Sequence, residues 1–351
     1  MTTTSVPPRT PAGAPVADAH NDLLLLVARR PPALWGEYFR DTWYPQLRDG
    51  NVRLQVLAVD CNWPPQPEIA LRRTLLMIEA AHRIAEENAD IVALCRDGSE
   101  IDVAIATGRI ALVLAIEGAS QVERDVALLE SFHRLGVRMV SLAHFGRSAL
   151  ADGSGEDAAG SRLTRAGVEA LKLLESRGTI LDVSHLSAAG VEHVLEIATR
   201  PMIASHSGAR ALFDHHRNLS DAALRGIRDA DGLVCLNLFA GYLAAEPTMA
   251  DVVAQLDHLV DIVGPHRVGI GADFCLEIFS EIVPDADRPL RLEGIDAEST
   301  LPGLEGPAGL PLVGDALRDA GWDDSLVRGV MGGNLTAFLR THMPNAQDAV
   351  A

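Results

Sequence analysis

The sequence predicts an α/β protein whose parallel sheet closes into a (β/α)8, TIM-type barrel. Short apolar runs rich in β-branched residues recur eight times, and stretches with helical spacing separate them. No GxGxxG turn follows the first run, which removes the main support for an open, doubly wound sheet.

In chain order the eight runs are "VADAHNDL", "VRLQVLAVD", "RIALVLAIEG", "VRMVSLAH", "TILDVSH", "RPMIASHS", "GLVCLNLF" and "RVGIGADF". The first runs straight into "LLLLVA", which is far too short to span a bilayer. Residues 29–50 then hold Trp35, Tyr38, Phe39, Trp43 and Tyr44, five of the fifteen aromatics in the chain; such a cluster packs on itself, lines a pocket or meets a second subunit, and packing is the plain expectation. "PEIALRRTLLMIEAAHRIAEEN" reads as a helix with Ile69, Leu75, Leu76, Ile78 and Ile84 along one apolar side. "DVALLESFHRLG", "RAGVEALKLLESRG", "AAGVEHVLEIATR" and "SDAALRGIRDADG" supply later helices, several stopping at glycine. Residues 281–311 form a long Pro/Gly-rich connection after the eighth run, a length often used for lids. "LVRGVMGGNLTAFLRTH" closes the chain as a helical element with a glycine break. The expected organisation is a disordered arm over residues 1–15, one domain over 16–343, and a tail over 344–351.

The chain's 351 residues carry a formal charge of −18, which argues against nucleic acid or an anionic membrane as partner, since both call for a basic face. Cys61, Cys95, Cys235 and Cys275 lie far apart with no CxxC pair, so neither a disulfide framework nor a thiolate zinc site is expected. Reduced thiols and an N-terminus without a basic-then-apolar leader point to the cytoplasm. A homodimer stays open.

The chemistry is concentrated where the runs end. His20 and Asp22, Glu117, His144, His185, His206 and Asp273 all fall there, and the C-terminal rim of such a barrel carries the active site. In "VADAHNDLLLL", Asp18, His20 and Asp22 alternate, so in a regular strand they share one face. Burying them costs several kcal/mol unless something such as a metal ion compensates. Taken singly, each residue has a plain reading: a loop histidine held by a hydrogen bond, a helix N-terminal glutamate, a turn aspartate. Together, imidazole nitrogens and carboxylate oxygens suit divalent metals, above all zinc. Six of these seven as ligands would exceed what one catalytic zinc uses and fit two ions sharing a carboxylate, with Glu117 placed to bridge. His82, His133, His193, His258 and His342 sit in helical patterns without such placement, while His215, His216 and His266 lie in loops and stay undecided.

"DAHNDL", "AIEGAS", "SLAHF", "DVSHLS", "ASHSGARAL", "HHRNLSD", "VGIGADF" and "MGGN" together resemble, in order, the motifs of the renal or membrane dipeptidase family (peptidase family M19) of the amidohydrolase superfamily, from about Asp18 to about Arg340. The resemblance implies a binuclear zinc dipeptidase acting on free dipeptides, L-D dipeptides among them, through a metal-bridging hydroxide. It implies His20 and Asp22 as ligands of one metal, His185 and His206 of the other, and Glu117 as the bridge. His144 would contact the scissile carbonyl region, Arg217 would pair with the substrate's C-terminal carboxylate, and Asp273 would shuttle protons. Asp18 belongs to the motif but is expected one layer deeper, as a hydrogen-bonding support.

Two rim positions depart from the family pattern: "DFCL" stands at residues 273–276 where many members read "DFDG", and Phe145 follows His144. Another amidohydrolase-type activity on the same scaffold, such as a deacetylase or a hydrolase of peptide conjugates, is one alternative. HxD on the first strand with Glu117 as bridge, rather than HxH with a carboxylated lysine, favours the dipeptidase branch. A barrel that has lost catalysis is the other, and it predicts a missing ligand that the sequence does not show.

Overall fold

The computed structural model describes residues 13–60, 67–123, 125–282 and 299–344. Most of the expected arm and tail, Cys61, and the middle of the 281–311 connection lie outside them.

Nine strands form one parallel sheet: β1 Val16–Asn21, β2 Val52–Asp60, β3 Val92–Leu94, β4 Ile110–Glu117, β5 Val137–Ser141, β6 Ile180–Asp182, β7 Ile203–Ser207, β8 Leu233–Asn237 and β9 Val268–Gly271. Their order is β2-β1-β9-β8-β7-β6-β5-β4-β3, and pairing of β2 with β4 closes eight of them into a barrel. These eight are the predicted runs. The ninth, β3, adds to the start of β4 outside the ring and is too short to give a periodic signal.

Alternation along the strands separates two buried layers. Leu54, Val56, Ala111, Val113 and Cys235 fill the barrel, whereas Leu57, Val59, Leu112, Leu114 and Ile116 face the surrounding helices. Leu335, Phe338 and Leu339, from helix Asn334–His342, join the inner layer near the strand starts. The opposite end, where the strands finish, is left to polar side chains.

Trp35, Phe39 and Trp43 are fully buried in the outer layer, the packing role expected of the aromatic segment. Helix Pro67–Glu87 differs from expectation. Ile78 and Ile84 are buried, but Ile69, Leu75 and Leu76 are 40%, 45% and 38% exposed. Ala70, Thr74, Met77 and Ala81 make up the buried stripe instead, at spacings of three and four residues. Small residues there let the helix axis lie close to the barrel, and the larger ones fall on the other side. Cys95 and Cys235 are buried free thiols and Cys275 is a half-buried one. Among the described residues no helix is long and apolar enough to cross a membrane.

Candidate active site

Two of the strands that bring histidines to the mouth carry an extra residue. On β1, Asp18 pairs with Gln55 and Asn21 with Leu57, three residues against two. On β7, Ala204 pairs with Val234 and Ser207 with Leu236, again three against two. Such bulges re-aim side chains. Here they turn two successive residues inward, Ala19 with His20 on β1 and Ser205 with His206 on β7. The simple alternation expected for "DAHND" therefore fails at Asp18, which shares the face of Asn21 rather than that of His20. Asp18 is fully buried and accepts hydrogen bonds from the amides of Ala272 (2.8 Å) and His20 (3.3 Å) and from Gln55 Nε2 (2.9 Å). Burial pushes its pKa up to about 6, against the pull of those donors. It ties β1 to β2 and β9 and takes no part in the cluster above.

The predicted residues meet around one atom, Glu117 Oε1. His185 Nε2 lies 2.9 Å from it, His206 Nε2 3.2 Å, His20 Nε2 3.5 Å and His144 Nε2 3.9 Å. Asp22 Oδ2 is 3.4 Å from His20 Nε2 and Asp273 Oδ1 is 3.8 Å from it. His185 and Asp273 reach this centre from left-handed backbone, with φ of 68° and 55°. Non-glycine residues hold that conformation at a cost of order 1–3 kcal/mol and concentrate at functional sites. Gly271, just before Asp273, allows β9 to approach β7 closely: a Cβ there would lie 1.8 Å from the Ser205 carbonyl oxygen.

Supporting hydrogen bonds fix the orientation of two of these groups. The Ser205 hydroxyl donates to Asp182 and lies 2.7 Å from His206 Nδ1. Since its proton is used on Asp182, it accepts from Nδ1–H, which leaves the Nε2 lone pair of His206 facing the cluster. Asp273 Oδ2 accepts from Asn237 Nδ2 (2.9 Å), and Asn237 Oδ1 in turn accepts the Phe239 amide (2.7 Å), which sets the way the Asn237 amide points. Cys275, at the "DFCL" departure, donates its thiol to Asp273 Oδ1 (3.3 Å), and burial pushes that thiol's pKa well up.

Arg217 is 3% exposed and follows β7. Its Nη2 donates to the His206 carbonyl (3.1 Å) and sits 3.2 Å from His185 Nε2, while its Nε has no protein partner. Phe145 stands edge-on to His144 (4.5 Å) and His185 (4.8 Å) and lies under the Arg217 guanidinium (5.8 Å). The second sequence departure therefore lines the mouth between three of the predicted residues.

Burial holds His185 and His206 well below the usual imidazole range, with Arg217 adding to the effect on His185 and His20 to that on His206. Burial raises Glu117 well above the ordinary carboxylate range. His20 is carried well above its range by Glu117 and Asp22, although burial opposes it. A cluster of this kind must hold protons or a cation to lie out of water. Its donor set fits divalent metal. His20, Glu117 and His206 form one group whose ligand atoms lie within 4.8 Å, Glu117, His144 and His185 a second, and His20, Asp22 and Asp273 a third. Asp22 Oδ1 is buried without a hydrogen-bond partner, and the Nε2 atoms of His185 and His206 face each other at 2.8 Å. Neutral imidazoles and carboxylates converging without cysteine are the ligands of zinc-type and related divalent centres.

A parallel barrel with such a cluster at its C-terminal mouth defines a metal-dependent hydrolase in class. The chain belongs to the membrane dipeptidase family, peptidase family M19, which matches it over residues 10–287. Dipeptidase verJ of Clonostachys rogersoniana is 32% identical over 207 residues, a match spanning 58% of this chain and 53% of that protein, so about half the length of that curated relative is represented. The crystal structure of dipeptidase AC, a metallopeptidase of family M19, superposes with a TM-score of 0.82 at 26% identity, covering 94% of this chain and 99% of that one. A metallopeptidase from Rhodobacter sphaeroides, solved with a phosphinate mimic of the dipeptide L-Ala-D-Ala, gives 0.81 at 25% identity over 95% and 100%. The chain thus shares the family and the fold of metal-dependent dipeptidases.

Four site residues are absent from the sequence-derived set. Asp182 and Ser205 act only through His206, and Asn237 only through Asp273, so nothing in local spacing marks them. Asp60 ends a predicted run just as Glu117 does, but only its register with Glu117 marks it as part of the mouth.

Proposed function

We propose that the protein hydrolyses free dipeptides, L-D as well as L-L, with two zinc ions held by His20 and Asp22 on one side, His185 and His206 on the other, and Glu117 between them. The observation that carries this reading is the convergence of four imidazole Nε2 atoms on Glu117 Oε1 within 3.9 Å. Divalent ions at this centre would supply Lewis acidity and bring the pKa of bound water towards neutrality. Asp273, held by Asn237, accepts the proton released as water attacks and returns it to the leaving amine. His144, on the more open side of the cluster, donates to the carbonyl oxygen of the scissile bond. Arg217 offers its unpartnered Nε to the substrate's terminal carboxylate, a planar donor matched to a planar acceptor. A required free carboxylate at that depth restricts the site to short substrates. The L-Ala-D-Ala mimic bound by the Rhodobacter sphaeroides neighbour supports including L-D substrates.

The test is a panel of L-L and L-D dipeptides assayed with added zinc, alongside metal content per chain. Activity with about two divalent ions per chain is the expected result, and an active metal-free protein would exclude the mechanism. Arg217→Ala should raise KM strongly for free dipeptides and little for C-terminally amidated analogues. Equal effects on both would remove the carboxylate role.

A further inference from the structure

A free dipeptide carries charge at both ends, and the residues discussed so far address only its carboxylate. Asp60 is the last residue of β2 and pairs in register with Glu117, the last residue of β4. In-register residues of adjacent strands present their side chains on the same face. Glu117 faces the barrel mouth, and Leu54 and Val56, three and two alternations before Asp60, fill the barrel interior. Asp60 therefore directs its carboxylate into the same opening, at its half-buried edge. Among the described residues it belongs to none of the three groups of metal-type ligand atoms.

Its position around the ring matters as much as its direction. In the closed order β2-β1-β9-β8-β7-β6-β5-β4, strand β2 lies diametrically across from β7. Arg217 is fastened to the end of β7 through the His206 carbonyl. The mouth thus has an anionic pole at β2, a cationic pole at β7 and the ligand cluster between them.

Granting the dipeptidase reading, on which this rests, we propose that Asp60 binds the α-ammonium group of the substrate's N-terminal residue, so that the mouth recognises both ends of a zwitterion. The proposal makes Asp60 a specificity-determining residue that excludes N-blocked peptides, as Arg217 would exclude C-blocked ones.

The experiment compares L-Ala-D-Ala and L-Ala-L-Ala with their N-acetyl derivatives, using wild-type protein, Asp60→Asn and Asp60→Glu, with metal content measured on each. Wild type should prefer the free dipeptide by at least about tenfold, the scale of one charge-assisted hydrogen bond. Asp60→Asn should lower kcat/KM for the free dipeptide about 10- to 100-fold, mainly through KM, with the N-acetyl substrate little changed and metal content unaltered. Asp60→Glu should recover part of the preference. Wild type that cleaves N-acetyl and free dipeptides equally well overturns the proposal without any variant. Equal losses on both substrates in an active Asp60→Asn protein overturn the Asp60 assignment alone. Wild type inactive on every dipeptide overturns the dipeptidase reading and the proposal with it.

Discussion

Ser205 Oγ lies 2.7 Å from His206 Nδ1 while its own proton is committed to Asp182, so a relay two groups long decides which nitrogen of His206 faces the mouth. Groups that orient metal ligands this way typically change metal affinity 10- to 100-fold when removed. Ser205→Ala should therefore weaken divalent-metal binding by about that factor, measured by competition with a chelating dye, without loss of the folded state. Metal affinity unchanged in Ser205→Ala would show that packing alone holds the His206 ring.

Gly271 and Gly314 should respond in opposite ways to alanine. A Cβ at Gly271 would meet the Ser205 carbonyl oxygen at 1.8 Å and the His206 Cα at 3.2 Å, both on backbone that cannot swing aside. Gly271→Ala is expected to cost about 1–3 kcal/mol or more and to lower metal affinity as β7 shifts. Gly314 lies inside helix Pro311–Asp319, and a Cβ there would touch its neighbours no closer than 3.6 Å. Gly314→Ala should add about 0.4–1 kcal/mol by restricting the unfolded chain. Thermal unfolding midpoints of the two variants would decide both expectations.

All eight barrel strands were legible because each is a buried run of β-branched and aliphatic residues closed by polar ones, a pattern that parallel strands impose. The residues converging on Glu117 were legible for a related reason, since the rim is where buried runs stop. What local patterns could not carry was register. Nothing in "DAHND" or "IASHS" announces an extra residue, because a bulge is fixed by the neighbouring strand, here Gln55 to Leu57 and Val234 to Leu236. Ile69, Leu75 and Leu76 lie on the exposed side for the opposite reason: close packing against the barrel selects alanines over larger residues. Asp60 went unmarked because one carboxylate at a strand end has a plain reading until its register with Glu117 is known.

Asp273 supplies the sharpest test of the proposed proton transfer. Its side chain is held by Asn237 at 2.9 Å, and Asn237 is itself oriented by the Phe239 amide. Asp273→Asn keeps the shape and can still accept from Asn237 through its amide oxygen, but it cannot take up a proton at neutral pH. General acid–base groups contribute typically 10²–10⁴-fold. The kcat of Asp273→Asn should fall by about that factor with metal content retained. Turnover within a few-fold of wild type would assign the proton to another group. Asn237→Ala should lie between the two, because the carboxylate remains and only its placement is lost.

His133 offers a pH test far from the mouth. It is buried, and its Nδ1 lies 2.9 Å from Thr179 Oγ1. Burial first, and then the charge of Arg138, hold its pKa below the usual imidazole range. A histidine depressed in the folded state binds its proton more readily once unfolded. Its contribution is therefore fully present above the unfolded value of about 6.5 and is lost as pH falls through that value towards the folded one. His133→Gln removes this titration while leaving an amide able to pair with Thr179. The stability difference between wild type and His133→Gln should hence be constant above about pH 7.5 and should move against wild type as pH drops to about 5, by at most about 1.4 kcal/mol per pH unit. The metal-site groups are the same in both proteins, so their own titrations cancel in the difference. Denaturant unfolding of both proteins across that range measures it, and a difference independent of pH would show that His133 titrates alike in the folded and unfolded chains.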